Sequence, residues 1–171
     1  RNTYDGQANP NDFMGPALWP SSLSHFAEEN QEQGGLLGSH IDMLHESPQG
    51  IGIAHDSDNA YWYNDGYYGE LVHYDFQQDH DTGEDDHSDG IVTRYIEISL
   101  TRNPGVPGHL DMNKGTGMLY VADTGGGRVL WVNTQDPNVT ISDIRGAESQ
   151  MEPLDGYNRA TSVDWGILAS G

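Results

Sequence analysis

The chain has 171 residues, enough for one ordinary core; 35% are hydrophobic and 22 are glycine, a balance that suits short strands and tight turns better than packed helices. Seven lysines and arginines face 27 aspartates and glutamates, a formal charge of −20, which excludes contacts that need a run of phosphates neutralised, on nucleic acid or on an anionic bilayer. Cysteine is absent, which excludes disulfides, thiolate metal sites and thiol nucleophiles, and no apolar run of about 18 residues predicts a membrane span.

Residues 1–38 form an irregular segment or a degenerate repeat, in which Phe13-Met14-Gly15-Pro16-Ala17-Leu18-Trp19-Pro20 has the apolar content of an outer strand. From residue 39 to 106 the pattern predicts four strands, Gly50–Ala54, Ala60–Asn64, Glu70–Asp75 and Ile91–Leu100. An acidic insertion at 79–90 separates the last two. Residues 107–150 predict four more, His109–Met112, Met118–Ala122, Arg128–Asn133 and Val139–Ile144. Their breaks fall at Lys114-Gly115-Thr116-Gly117 and Gly125-Gly126-Gly127, where glycine supplies the positive φ of hairpin turns. Residues 151–171 then read as the start of a further unit.

The two units are copies of one another. Asn64-Asp65-Gly66-Tyr67-Tyr68-Gly69-Glu70-Leu71-Val72-His73-Tyr74-Asp75 lies without gaps on Ala122-Asp123-Thr124-Gly125-Gly126-Gly127-Arg128-Val129-Leu130-Trp131-Val132-Asn133. Upstream, Pro48 matches Pro107, a spacing of 59, and Asn158 opens a third partial copy 51 further on. Four-stranded propeller blades recur every 40–50 residues or so, and an insertion accounts for the excess. The expected fold is therefore all-β, a β-propeller of four-stranded antiparallel blades. Two full blades and part of a third fall short of the roughly four to eight that close a ring, so another copy or another polypeptide is expected to complete it. The Asp that ends the second strand of each copy, Asp65 or Asp123, is expected to accept backbone hydrogen bonds from the turn that follows.

Leu119-Tyr120-Val121-Ala122-Asp123-Thr124-Gly125-Gly126-Gly127-Arg128-Val129 resembles the core of an NHL repeat, aliphatic-Tyr-Val-Ala-Asp-Thr-Gly-Asn-x-Arg-Val. In the first copy Trp62-Tyr63-Asn64-Asp65-Gly66 stands in its place, and the likeness covers about three quarters of the chain. NHL-type propellers are often non-catalytic scaffolds that present loops to a protein or a glycan. The chain is also similar, more distantly, to propeller lyases of the peptide-amidating kind, in which NHL-like blades present histidines to a central zinc.

Eight histidines and no cysteine leave imidazole rather than thiolate to hold a borderline divalent metal. His45 precedes the first innermost strand and His109 opens its equivalent in the next copy, so in a propeller both would face the central channel. His87, in the acidic insertion, is the third candidate, and three imidazoles with an open position suit Zn²⁺ or a similar ion. The same insertion offers Asp79, Asp81, Asp85, Asp86 and Asp89 as hard oxygen ligands for Ca²⁺, although Glu84 and Gly90 stand where an EF-hand loop needs Gly and Glu. By resemblance to the lyases, Tyr63, Tyr67 or Arg128 would assist as base or electrostatic stabiliser. Two readings stay open: a metal-associated binding scaffold, or a metal-dependent propeller enzyme. Gly-x-Ser-x-Gly is absent, which argues against a serine hydrolase. The acidity leads to the expectation of a secreted or extracellular protein.

Overall fold

A computed structural model describes residues 16–22, 40–45, 47, 49–80, 86–144 and 154–171. Among them every regular element is a strand. The all-β class follows from a sequence in which β-branched and aromatic runs are cut every few residues by Gly, Asn and Asp.

Two short strands, β1 (Ala17–Leu18) and β2 (Asp42–Met43), pair only with each other. Next comes an antiparallel meander: β3 (Gly52–His55), β4 (Ala60–Asp65), β5 (Glu70–Asp75) and β6 (Ile91–Ser99). These are the four strands the pattern predicts, within a residue or two at each end. A second meander, β7 (Leu110–Asn113), β8 (Met118–Asp123) and β9 (Arg128–Asn133), repeats the first three. The turns into β5, β8 and β9 each end on a glycine of positive φ, Gly69 at 68°, Gly117 at 68° and Gly127 at 61°. An L side chain is strained in that left-handed region, which is why glycine recurs there.

Beyond β9 the chain departs from the predicted order. Strand β10 (Thr140–Asp143) does not add to β9; it pairs with β11 (Gly156–Thr161), and β11 runs parallel to β6. The first sheet therefore has six strands in the order β10-β11-β6-β5-β4-β3. The place beside β9 goes to β12 (Trp165–Ser170), giving a second sheet β12-β9-β8-β7. The partial third copy at Asn158–Val163 thus lies mostly in β11, at the outer side of the first sheet. Its Ala160 and Val163 enter the same core as Trp62 and Leu130, and that burial fixes its position.

The sheets share one aliphatic core. Trp62, Leu71, Tyr95, Ile98 and Leu100 of the first sheet and its exit meet Leu110, Leu119, Val121, Leu130 and Val132 of the second. Backbone joins them at the inner strands, where the Gly108 amide donates to the Ile51 carbonyl at 2.9 Å. The opposite face of the first sheet carries Tyr63, Val72, Tyr74, Phe76, Val92 and Tyr157, and Leu44 from the segment after β2 packs on it.

Both repeat aspartates act as expected. Asp65 Oδ1 accepts from the Tyr67 and Tyr68 amides at 2.8 and 3.2 Å, and Asp123 Oδ1 from Gly126 at 3.2 Å and Thr101 at 2.7 Å. Each also holds an arginine. Arg128, next along in β9, reaches Asp123 at 2.7 Å, whereas Asp65 is met by Arg94 from β6 at 2.9 Å because Glu70 occupies the Arg128 position of the first copy.

Candidate metal centre

The first sheet's aromatic face is bordered by imidazoles. His40 stands just before β2, while His80 and His87 lie in the connection from β5 to β6. All three are buried, and one ligand atom from each lies within 4.8 Å of the others. The Nε2 atoms of His40 and His87 are 3.1 Å apart, so one ring donates its proton to the other. The ring centroids of His80 lie 4.7 Å from His40 and 4.8 Å from His87.

The shortest of these separations suits a tetrahedral ion. With Zn–N bonds of about 2.0–2.1 Å, ligand nitrogens around one zinc are about 3.3 Å apart. The His40–His87 pair is close to that spacing, and an ion bound there would replace the proton the two rings share. Residues 40, 80 and 87 can therefore hold a metal ion.

The backbone explains how the rings converge. The Gly90 amide donates to the His87 carbonyl at 3.1 Å, a turn that carries the chain from His87 into β6. The Tyr74 hydroxyl donates to the His45 carbonyl. The Ser47 hydroxyl therefore donates to Tyr74, and Ser47 Oγ accepts from Arg94 Nη2 at 3.3 Å. This relay fixes the segment that follows β2 against β5 and β6. Asn59 Nδ2 donates to Asp42 Oδ2 at 2.7 Å and ties β2 to the turn before β4.

Of the residues expected from sequence to bind metal, His87 belongs to this group. His45 is adjacent and buried, its ring centroid 5.2 Å from that of His87. His109 is exposed at the start of β7 in the second sheet and is not part of the group. Asp79 and Asp86 are exposed and Asp89 half-buried; with Gln78, His80 and Ser88 they line a cavity of about 250 Å³. Asp81 and Asp85 lie outside the described residues. Asp86 and Asp89 already accept from the Ser88 and Gln78 amides, at 3.0 and 3.1 Å.

Among the three residues expected to assist catalysis, Tyr63 is buried, and burial, with Asp65 nearby, holds its phenol well above the usual range. Its ring packs with Leu44, Val72 and Tyr74. Tyr67 is exposed in the turn after β4, its ring 5.0 Å from that of Tyr68. Arg128 binds Asp123 and donates to the Ser99 carbonyl at 2.7 Å, away in the second sheet.

Sequence reasoning missed His40 and His80. Four histidines fall at 40, 45, 80 and 87, on either side of the β3–β5 stretch rather than opening successive repeats, and that grouping was the available signal. Comparison with family models, with curated proteins and with solved structures gives no match.

Proposed function

We propose that this chain is the metal-holding part of a β-propeller-type binding scaffold, with a Zn²⁺-class ion on His40, His80 and His87 and the neighbouring loops presented to a protein or glycan. The observation that carries this reading is the convergence of three buried imidazoles within 4.8 Å. Imidazole nitrogen suits zinc and its neighbours far better than Ca²⁺, which takes oxygen ligands, so calcium is left to the carboxylates of Asp79, Asp86 and Asp89.

Support for the propeller comes from the repeat. Trp62 and Leu71 of the first meander point at the second sheet, and Tyr120 and Val129 are their counterparts one copy later. These are only half-buried, and Trp131, paired with Tyr120 on the same face, is half-buried too. A further sheet, from another copy or another polypeptide, would bury this face as the second sheet buries Trp62.

The test is metal content. Protein purified without added metal or chelator is expected to carry about one zinc-class ion per chain, lost in His87→Ala and kept in His109→Ala. Equal metal in His87→Ala and the parent protein would refute the site.

A second reading, a metal-dependent enzyme, is favoured by one feature. His80 lines the 250 Å³ cavity as well as the imidazole group, so a ligand in that cavity would lie beside the metal. Turnover that is lost in His87→Ala and restored by metal in the parent protein would favour the enzyme over the scaffold.

A further inference from the structure

The three imidazoles come from two separate parts of the chain. His80 and His87 belong to the β5–β6 connection, whereas His40 belongs to the segment that forms β2. Among the described residues, its backbone pairing is short. Strand β2 pairs with β1 over two residues, Ala17 with Met43 and Leu18 with Asp42. Two more bonds, Ile41 N to Leu18 O at 2.8 Å and Leu44 N to Pro16 O at 3.1 Å, extend the same pairing. An isolated two-stranded hairpin is marginal in water even at greater length. Neither strand joins the ladder of either large sheet.

What the segment covers is apolar and aromatic. Leu44 packs with Tyr63, Val72, Tyr74, Phe76, Val92 and Tyr157, all of them buried. Side-chain hydrogen bonds also tie it to the sheet, among them Asn59 to Asp42, Ser47 with Tyr74 and Arg94, and Tyr74 to the His45 carbonyl. A metal bound by His40, His80 and His87 would add a strong link between this cover and the sheet connection beneath it.

We propose that the metal acts as a clasp, closing residues 40–45 and Ser47 over the aromatic face of the first sheet, so that metal occupancy regulates exposure of that face. The proposal rests on the metal site of the preceding section. It needs the three ligands to be divided between cover and base, which the chain positions satisfy. Opening the cover separates His40 from the other two ligands. The metal therefore binds the closed state better than the open one, and that difference in affinity is what a ligand needs to shift an equilibrium.

Hydrogen exchange of the full chain, read by mass spectrometry with Zn²⁺ or with a chelator, tests the clasp, and equilibrium dialysis of Zn²⁺ runs beside it. If opening requires metal release, exchange in peptides spanning 40–47 slows by up to about 100-fold at free zinc 100 times Kd. Peptides from β7 to β9 are expected to change little. In His40→Ala the response at 41–47 is expected to vanish while the second sheet keeps its protection, and His80→Ala should behave alike. Should either variant fail to fold, the parent protein with and without zinc still decides. Stoichiometric zinc binding with less than about a threefold change at 40–47, or with equal slowing in both sheets, overturns the clasp and leaves the metal site standing. Failure of zinc to bind in dialysis overturns both.

Discussion

Replacing Arg94 with methionine should destabilise the protein far more than the same change at Arg128, although the two arginines serve equivalent aspartates. Arg94 is 5% exposed and Asp65 fully buried. Its Nε donates to the Tyr157 hydroxyl at 2.8 Å, Nη1 to Asp65 at 2.9 Å and to Glu70 at 3.3 Å, and Nη2 to Ser47 at 3.3 Å. The Tyr68 ring lies 4.9 Å from the guanidinium carbon. The gross strength of these bonds is not what the substitution costs, because burying the guanidinium was itself unfavourable. What remains is the Asp65 carboxylate, buried with its Oδ2 partner gone, and breaking such a pair costs about 3–5 kcal/mol. Arg128 is 25% exposed, and water can replace part of what it gives Asp123, so about 1–2 kcal/mol is expected there. In urea titrations with a slope near 2 kcal/mol/M, Arg94→Met should lower the midpoint by roughly 1.5–2.5 M and Arg128→Met by under about 1 M. Adding Asp65→Asn to Arg94→Met should recover stability, since Asn can still accept from the Tyr67 and Tyr68 amides and no buried charge is left. Equal losses for the two arginines, or a double variant less stable than Arg94→Met, would refute the reasoning.

The Asp56 carboxyl is held below its ordinary 3.8 by its hydrogen bond to His73, against burial and with further help from the charges of His73, His55 and Lys114. A depressed carboxyl contributes stability above its unfolded value that is lost as pH falls through the folded one. Carboxyl NMR should therefore place Asp56 below 3.8 in the parent protein and nearer to it in His73→Ala, and the urea midpoint should fall less steeply below about pH 4 in that variant. An unshifted Asp56 signal would remove the argument. At the junction of the two sheets, a methyl on Gly52 would collide with the Gly108 carbonyl and lie 2.8 Å from Leu110 Cδ1. Thermal unfolding should show Gly52→Ala destabilised by about 1–3 kcal/mol, whereas Gly115→Ala, whose nearest neighbour is Asn113 Oδ1 at 3.4 Å, should unfold close to the parent.

The strands of the two meanders were legible because the information is local. Glu70–Asp75 and Arg128–Asn133 alternate in burial over their last four residues, and both are preceded by a turn ending in glycine. Partner choice beyond β9 was not legible. Thr140–Asp143 has the composition of a strand but little buried surface, so nothing within it selects β9 over β11. Strand β12 carries Gly166, which breaks its pattern, and the reason lies across the sheet: a Cβ there would come within 2.9 Å of the Trp131 ring. Such a constraint belongs to a pair of residues 35 apart and leaves no periodic mark. The histidines show the same limit. Reading them as equivalent positions of successive repeats joined His45 to His109, whereas folding joins His87 to His40 and His80, because the β5–β6 connection and the segment before β2 meet at one edge of the aromatic face.

The two faces of the first sheet differ in chemistry. Toward the second sheet it presents Trp62, Leu71 and Tyr95 to an aliphatic surface, an assembly that needs only shape and burial. Toward the segment after β2 it presents Tyr63, Tyr74 and Tyr157, a buried Arg94, and at its border a set of imidazoles. Polar groups inside a core lower stability unless every one is satisfied, so packing alone gives no reason to gather them there. Ser47, Tyr74 and Arg94 form a relay that orients the cover, and the cover delivers His40 to His80 and His87. Removing the Ser47 hydroxyl would thus loosen the cover's tie to Tyr74 without touching an imidazole. Weaker zinc binding in Ser47→Ala, with His109→Ala unchanged, is the consequence expected if relay and metal site work as one device.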